Sequence, residues 1–459
     1  MEQEKTVWDV LDGKQRDKAF EFADGYRQFL NRAKTERLAV EAIISQAKSR
    51  GFHSIEEVKD AKPGDKLYYS FGGKALCLAV LGKKPLDLGL RIIGSHLDSP
   101  RLDLKQRPLY EEAGLALGKT HYYGGIKKYQ WTTVPLALHG VVITEAGDRV
   151  KVEIGENEAD PVFTITDLLP HLAKEQMDKK IREAVKGEGL NILLGSIPLA
   201  GQEVKERVKA NLLQALESRH GFTEEDLVSA ELEAVPAGPA RMVGLDRGLI
   251  GGYGQDDRAC VYTSLMALLD MENPDFTALA LFSDKEETGS DGATGMKSNL
   301  LEDFVAELIY LVSGSSDGIG VRRALRRSQA LSADAAVAFD PNYPDVTDKQ
   351  NTACLGKGVA IMKYSGIAGK YDTSDANAEF VGEVRSILNQ AGVVWQTGEM
   401  GKVDQGGGGT IAQFMARYGM EVLDCGPALL SIHSPFELAS VGDIFMTYLA
   451  YSAFFGSSS

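Results

Sequence analysis

The sequence predicts an α/β fold: a mixed, mainly parallel central sheet flanked by helices, with a smaller β-rich domain inserted into it. Three observations carry this. Strand-like apolar runs alternate with helical patterns through the second half of the chain. Some of those runs are continuously apolar, as expected of strands covered on both faces. Finally, about 160 residues separate polar clusters at His96 and Asp256, far more than one crossover within a sheet needs.

The chain has 459 residues, 44% hydrophobic and 25% charged, so a sizeable core is available. At ~150 residues per domain, two or three domains are expected. A net charge of −15 argues against a nucleic-acid partner, which usually needs a basic face. Cys77, Cys260, Cys354 and Cys425 are scattered, with no CxxC pair, and read as reduced thiols of a cytoplasmic protein. MEQEKTVWDVLDGKQRDK lacks the apolar core of a secretory signal, and no run approaches the ~20 apolar residues of a membrane span. The tail GSSS reads as a frayed end.

From the N-terminus, residues 14–52 look helical, with Phe22, Tyr26, Phe29, Leu30 and Ala33 on one face and Gly51 as a stop. KLYYSF, ALCLAVLG and LGLRIIGS follow as strands. Later strand candidates are TALALFS (277–283), DAAVAF (334–339), GVAIMKYSG (358–366) and MEVLDCG (420–426). Between them lie the helical patterns DDRACVYTSLMALLDM, TGMKSNLLEDFVAELIYLV, SDANAEFVGEVRSILNQAG and GTIAQFMARYG. The intervening stretch has its own strands, PLALHGVVI and RVKVEIG, and its own helical runs, KEQMDKKIREAVKG and EVKERVKANLLQALESRHG. Its flanks, KQRPLYEEAG and EAVPAGPARM, carry Pro and Gly. The organisation expected is therefore 1–104 and 239–459 as two parts of one domain, with 105–238 inserted.

Five polar clusters sit at or beside strand-like runs: SHLDSP, GQDDRAC, SDKEETGS, SADAAVAFD and SIHSP. Open parallel sheets bind ligands at the carboxyl ends of their strands, so distant clusters can converge on one cleft. His96 and His433 would offer imidazoles, and Asp256, Glu287 and Asp334 carboxylates. That donor set suits zinc, manganese or cobalt better than calcium, and with one bridging carboxylate it can hold two ions ~3.5–4 Å apart. Glu286, beside Glu287, could remain a base for a water molecule. Asp98 lies two residues along an extended chain from His96, on the same face, and could orient its ring.

Each piece has a plainer reading. A lone His beside a strand is usually structural, and a Glu-Glu pair is usually a solvated face. Asp256–Asp257 could simply cap a helix, with Asp257 as the cap. A buried Asp334 would be costly unless paired or metal-bound.

Taken in order, SHLDSPRLDLK, GQDDRAC, DKEETGSDGA, SADAAVAFDPNYPD and LDCGPALLSIHSPFE resemble the M18 metallo-aminopeptidases, the aspartyl aminopeptidase family. The resemblance spans roughly 85–105 and 240–450 and implies a dinuclear zinc-peptidase-like fold. One metal would be held by His96 and Asp334, the other by Glu287 and His433, with Asp256 bridging. The cofactor implied is two divalent ions, zinc first and Co2+ or Mn2+ as substitutes. Asp98 would orient His96, Glu286 would be the general base, and the Asp256–Asp257 peptide would be cis. The reaction implied is removal of single N-terminal residues from peptides with a free amine. The inserted segment would be a dimerisation domain, and the dimers would build a tetrahedral dodecamer. His171, in LLPHLAKEQ, matches a His lent to a neighbouring subunit's site; its plain reading is a surface loop His.

The Gly run in GKVDQGGGGTIAQF matches no phosphate-loop pattern, so Gly407 and Gly408 are read as allowing close backbone approach or loop flexibility. By resemblance they border the substrate cleft. Lys363 lies where a base would serve acidic side chains, or is simply solvated. Family members with acidic preference commonly carry His where this chain has Phe339 and Asp340, and YYGGIKKYQWTTVPLALHG also departs from the eukaryotic pattern. The first-residue preference therefore stays open. The competing functions are a metal-dependent deacylase or carboxypeptidase on the same scaffold, or a non-catalytic oligomeric binding protein.

Overall fold

A computed structural model describes residues 5–201, 204–315 and 317–458. Glu203, at the start of one expected helix, and Ser459 of the tail lie outside the described residues, as do Met1–Glu4. The chain divides into two compact units. The first comprises Met1–Asp98, Ala240–Ile432 and Phe436–Ser459.

Its centre is a nine-stranded mixed sheet. Four adjacent strands in the middle, Ala278–Ser283, Arg91–His96, Gln329–Ser332 and Glu421–Gly426, run parallel. Antiparallel pairs flank them on both sides. Burial explains the unbroken apolar runs. Along Ala278–Ser283, Ala278, Ala280 and Phe282 enter one core, and Leu279 and Leu281 enter the core on the other face. Helices Gly13–Arg32, Glu36–Ser49, Gln255–Leu269, Ala378–Gln390 and Val441–Phe455 feed the first core. Leu300–Ser313, Gly318–Arg327 and Ala412–Ala416 feed the second. Each fully buried Leu or Phe on these faces contributes about 1.5–3 kcal/mol relative to exposure.

The N-terminal helical stretch comprises Gly13–Arg32 and Glu36–Ser49, the last helix ending just before Gly51 and starting where Thr35 accepts from the Leu38 amide. Several elements differ from expectation. DAAVAF yields only the short strand Ala336–Val337, in a separate five-stranded sheet. The strand that enters the central sheet before Asp334 is Gln329–Ser332, too short for its alternation to register.

The second unit comprises Ser99–Pro239 and His433–Pro435. It is built on a six-stranded antiparallel sheet. Leu136–Ile143 and Arg149–Ile154 pair as a hairpin. The stretch with KQRPLYEEAG is a long strand, Arg101–Glu112, paired with Leu115–Tyr123. Pro108 hides it in the sequence, but the register shifts between Leu104 and Leu109, and an irregular step tolerates a residue without an N–H. KEQMDKKIREAVKG forms only two single turns, Lys174–Met177 and Ile181–Ala184, whereas Arg207–His220 is a full helix closed by Gly221. Among the described residues no single helix is long and apolar enough to cross a membrane.

Candidate metal centre

The first unit's parallel strands put three polar groups side by side. Ser283 pairs with His96 across the strand ends, and the Ala333 amide donates to the Gly94 carbonyl at 2.6 Å. His96 therefore ends one strand, and Asp334 follows the end of its neighbour. Glu286 and Glu287 follow the end of the other neighbour, in a tight turn entered through Lys285 in the left-handed region. This is the carboxyl edge of the sheet, where such folds place ligands.

Asp256 reaches the same place from the start of the helix Gln255–Leu269. The Asp256–Asp257 peptide is cis. Neither aspartate caps the helix: Gly254 stands at the cap with no side-chain bond, and both aspartates have non-helical backbone angles. The Asp257 carboxylate instead accepts from the His96 amide at 3.4 Å.

Donor atoms of His96, Asp256 and Glu287 lie within 4.8 Å of one another, as do those of His96, Glu286 and Asp334, and those of Asp256, Asp257 and Asp334. His96 is 1% exposed. Its Nε2 stands 3.3 Å from Asp256 and 3.8 Å from Asp334. Its Nδ1 donates to the Asp98 backbone carbonyl at 3.1 Å, and the Asp98 carboxylate is 3.4 Å away. With Nδ1 turned to Asp98, Nε2 is the nitrogen that faces the Asp256 and Asp334 carboxylates. The Asp98 carboxylate also accepts from the Glu286 and Glu287 amides, at 3.0 and 3.1 Å.

The electrostatics are those of a cation site. Burial opposes a charged His96, but Asp256, Asp334 and Asp98 outweigh it and push its pKa well up. Burial raises Glu286 well above the ordinary carboxylate range, opposed by His96 and reinforced by Asp334, Glu287 and Asp98. Asp257 and Asp334 are raised for the same first reason. Asp257 has a buried Oδ1 with no hydrogen-bond partner. Clustered carboxylates around one imidazole nitrogen fit a divalent ion, whose charge would restore their ionised forms.

Glu437 is a functional candidate that sequence reasoning passed over. It is 1% exposed, and its Oε2 accepts from the Gln255 amide at 2.6 Å and the Asp256 amide at 3.1 Å. The signal was its place at the end of LDCGPALLSIHSPFE, next to the expected His433 ligand.

His433, in the second unit, follows the strand Ala428–Leu430 with positive φ and makes a 3.0 Å hydrogen bond through Nδ1 to the Gly125 carbonyl. His171 is exposed in the turn Pro170–Leu172. Lys363 is exposed just after the strand Val359–Met362. The Gly408 carbonyl accepts from the Gly366 amide at 2.6 Å, and Gly407 packs so closely there that a Cβ would strike the Gly366 carbonyl. A cleft of about 470 Å³ opens beside the cluster, lined by Glu286, Glu287, Thr410, Gln413, Phe414 and Arg417 among others.

The profile of the family described as aminopeptidase I zinc metalloprotease (M18) matches residues 29–455. A probable M18 family aminopeptidase 1 of Clostridium acetobutylicum is 51% identical over 454 residues, covering 98% of this chain and 97% of that one. The crystal structure of an M18 aminopeptidase from Thermotoga maritima superposes with a TM-score of 0.95 at 46% identity, covering 99% of each chain. The S. cerevisiae mApe1 dodecamer shares the fold at 20% identity and a TM-score of 0.75, with 96% of each chain covered. The chain belongs to the M18 family of zinc metallo-aminopeptidases.

Proposed function

We propose that the chain removes single residues from the free N-termini of peptides at a dinuclear metal centre. The observation that carries this is the convergence of His96, Asp256, Glu286, Glu287 and Asp334 donor atoms at one sheet edge beside an open cleft. His96 and Asp334 would hold one ion, and Glu287 and His433 the other, with Asp256 between them. Zinc fits the donor set, with cobalt or manganese as substitutes. Bound ions would supply Lewis acidity and bring the pKa of a water molecule to ~7.

The protein's own residues do the rest. Glu286 accepts the proton of the attacking water and returns it to the leaving amine. Asp98 fixes His96 through Nδ1 and fixes the Glu286–Glu287 turn through its two amide bonds. Glu437 holds the backbone at Asp256. The Gly407–Gly408 backbone borders the substrate path, and Lys363 stands ready for an acidic side chain. His171 would act in a neighbouring subunit's site.

The second unit would form dimers, and the dimers a tetrahedral dodecamer. Supporting this, Leu168, Leu169, Leu172, Met177, Ile181 and Ile197 are each more than half exposed on the single chain. A cytoplasmic location goes with this reading, on four scattered cysteines and no CxxC pair in the sequence.

The test is a matched pair of peptides, one with a free amine and one N-acetylated. Release of only the first residue, from the free peptide alone, supports the reading. Cleavage of the blocked peptide would favour a deacylase or carboxypeptidase instead.

A further inference from the structure

A second cleft, of about 650 Å³, adjoins the first in chain terms through one shared residue, Arg417. It is lined by Arg322, Arg323, Arg326 and Arg417, with Glu302 the only acid, and by Ile319, Leu325 and Tyr418. Arg322, Arg323 and Arg326 project from the exposed side of the helix Gly318–Arg327, whose other side buries Val321, Ala324 and Leu325. Among the described residues none of the four arginines has a carboxylate ion pair; Arg417 instead lies over the Phe414 ring, 4.9 Å from its centroid. Four guanidiniums around one hollow repel one another. Their geometry matches carboxylates, which they bind in bidentate fashion. On a chain of net charge −15 this local excess of positive charge runs against the whole.

We propose that this cleft is an extended substrate subsite that binds acidic residues downstream of the cleaved bond. The inference rests on the aminopeptidase reading. The N-terminal residue would sit at the Glu286 cleft, and the chain would leave it past Arg417 toward Arg322, Arg323 and Arg326. The enzyme would thus select peptides by the charge of their tails, independently of the residue it removes. Arg417 is common to both walls and would act as the hinge of this selection.

The test is binding of two non-hydrolysable peptides with a reduced first bond and the same first two residues. One ends in three glycines, the other in three aspartates. The acidic tail should bind roughly 10-fold tighter, although net charge alone predicts the opposite order. The ratio should fall to within about twofold in Arg322→Gln/Arg323→Gln/Arg326→Gln, and in about 0.5 M salt. Thermal unfolding checks that the triple variant is folded, and Arg417→Gln alone should lower the ratio if it is not. Equal affinities for the two tails in the unaltered protein would overturn the proposal. So would a preference that survives in the folded triple variant. Inorganic phosphate binding lost in the triple variant, with equal peptide affinities, would mark a small-anion site instead. A changed oligomeric state with equal affinities would mark a contact between copies. Because the readout is binding, a chain that prefers the acidic tail but hydrolyses nothing would sink the aminopeptidase reading, and the substrate role with it, leaving only an acidic-peptide site.

Discussion

The carboxylate of Asp98 accepts hydrogen bonds from the backbone amides of both Glu286 and Glu287, at 3.0 and 3.1 Å. One side chain thus ties the His96 strand end to the turn that carries the proposed base and a proposed ligand. Asp98→Asn keeps the shape but replaces an oxygen with a donor facing an N–H. Activity or zinc affinity should fall by about 10–100-fold, the usual cost of losing a group that orients ligands. Steady-state kinetics with zinc titration measures it, and an unaltered kcat/KM at every zinc concentration would remove Asp98 from the site.

Glu286→Gln keeps volume and burial but removes the proton acceptor. Its kcat should fall by roughly 10²–10⁴-fold while zinc content stays at the unaltered level. Elemental analysis of the same preparation separates the two effects. Normal turnover with full zinc would assign the base elsewhere.

Glu437→Ala strands the Gln255 and Asp256 amides in a buried place. An unsatisfied buried donor costs about 1–3 kcal/mol, so the two together should lower stability by about 3 kcal/mol and loosen Asp256. Thermal unfolding of the zinc-free protein shows the first effect. An unchanged midpoint would mean that water replaces the carboxylate.

Asp424 gives a pH signature. Burial pushes its carboxyl up to about 7, against the Thr410 and Ser332 hydroxyls and with help from Asp334. Its Oδ1 accepts from the Thr410 hydroxyl at 2.7 Å. The folded state therefore holds this proton more tightly than the unfolded chain. Its contribution to stability is full below about pH 4 and is lost as pH rises through about 7, on the order of 4 kcal/mol at most. Asp424→Asn should flatten that part of the profile. Melting curves across the range check it, and parallel profiles for the two proteins would show that Asp424 is ionised throughout.

The apolar residues between 168 and 197 give a prediction about assembly. Replacing Leu168, Leu169 and Leu172 together by Ser should shift the sedimenting species toward smaller assemblies. A species unchanged in size would place the contact elsewhere.

The central sheet was legible in the sequence where strands are buried on both faces. LGLRIIGS and TALALFS have no polar face to confuse the pattern, and helices cover both sides. Short or interrupted strands were not legible. Gln329–Ser332 has too few residues to show a period, and Pro108 masked Arg101–Glu112. At the site, the local spacing in SHLDSP placed Asp98 beside His96. It did not show that Asp98 serves the Glu286 turn, because that bond spans 188 residues. Asp257 and Glu437 act on the backbone of residues distant in sequence, His96 and Asp256, and such bonds leave no local pattern. The placement of His433 beside the Gly125 carbonyl, with a left-handed backbone, likewise depends on tertiary contacts.

Zinc stoichiometry tests the dinuclear centre most directly. The purified chain, stripped and then dialysed against zinc, should retain about two ions per chain, and His433→Ala about one. A single ion in the unaltered protein, with no loss on replacing His433, would contradict it.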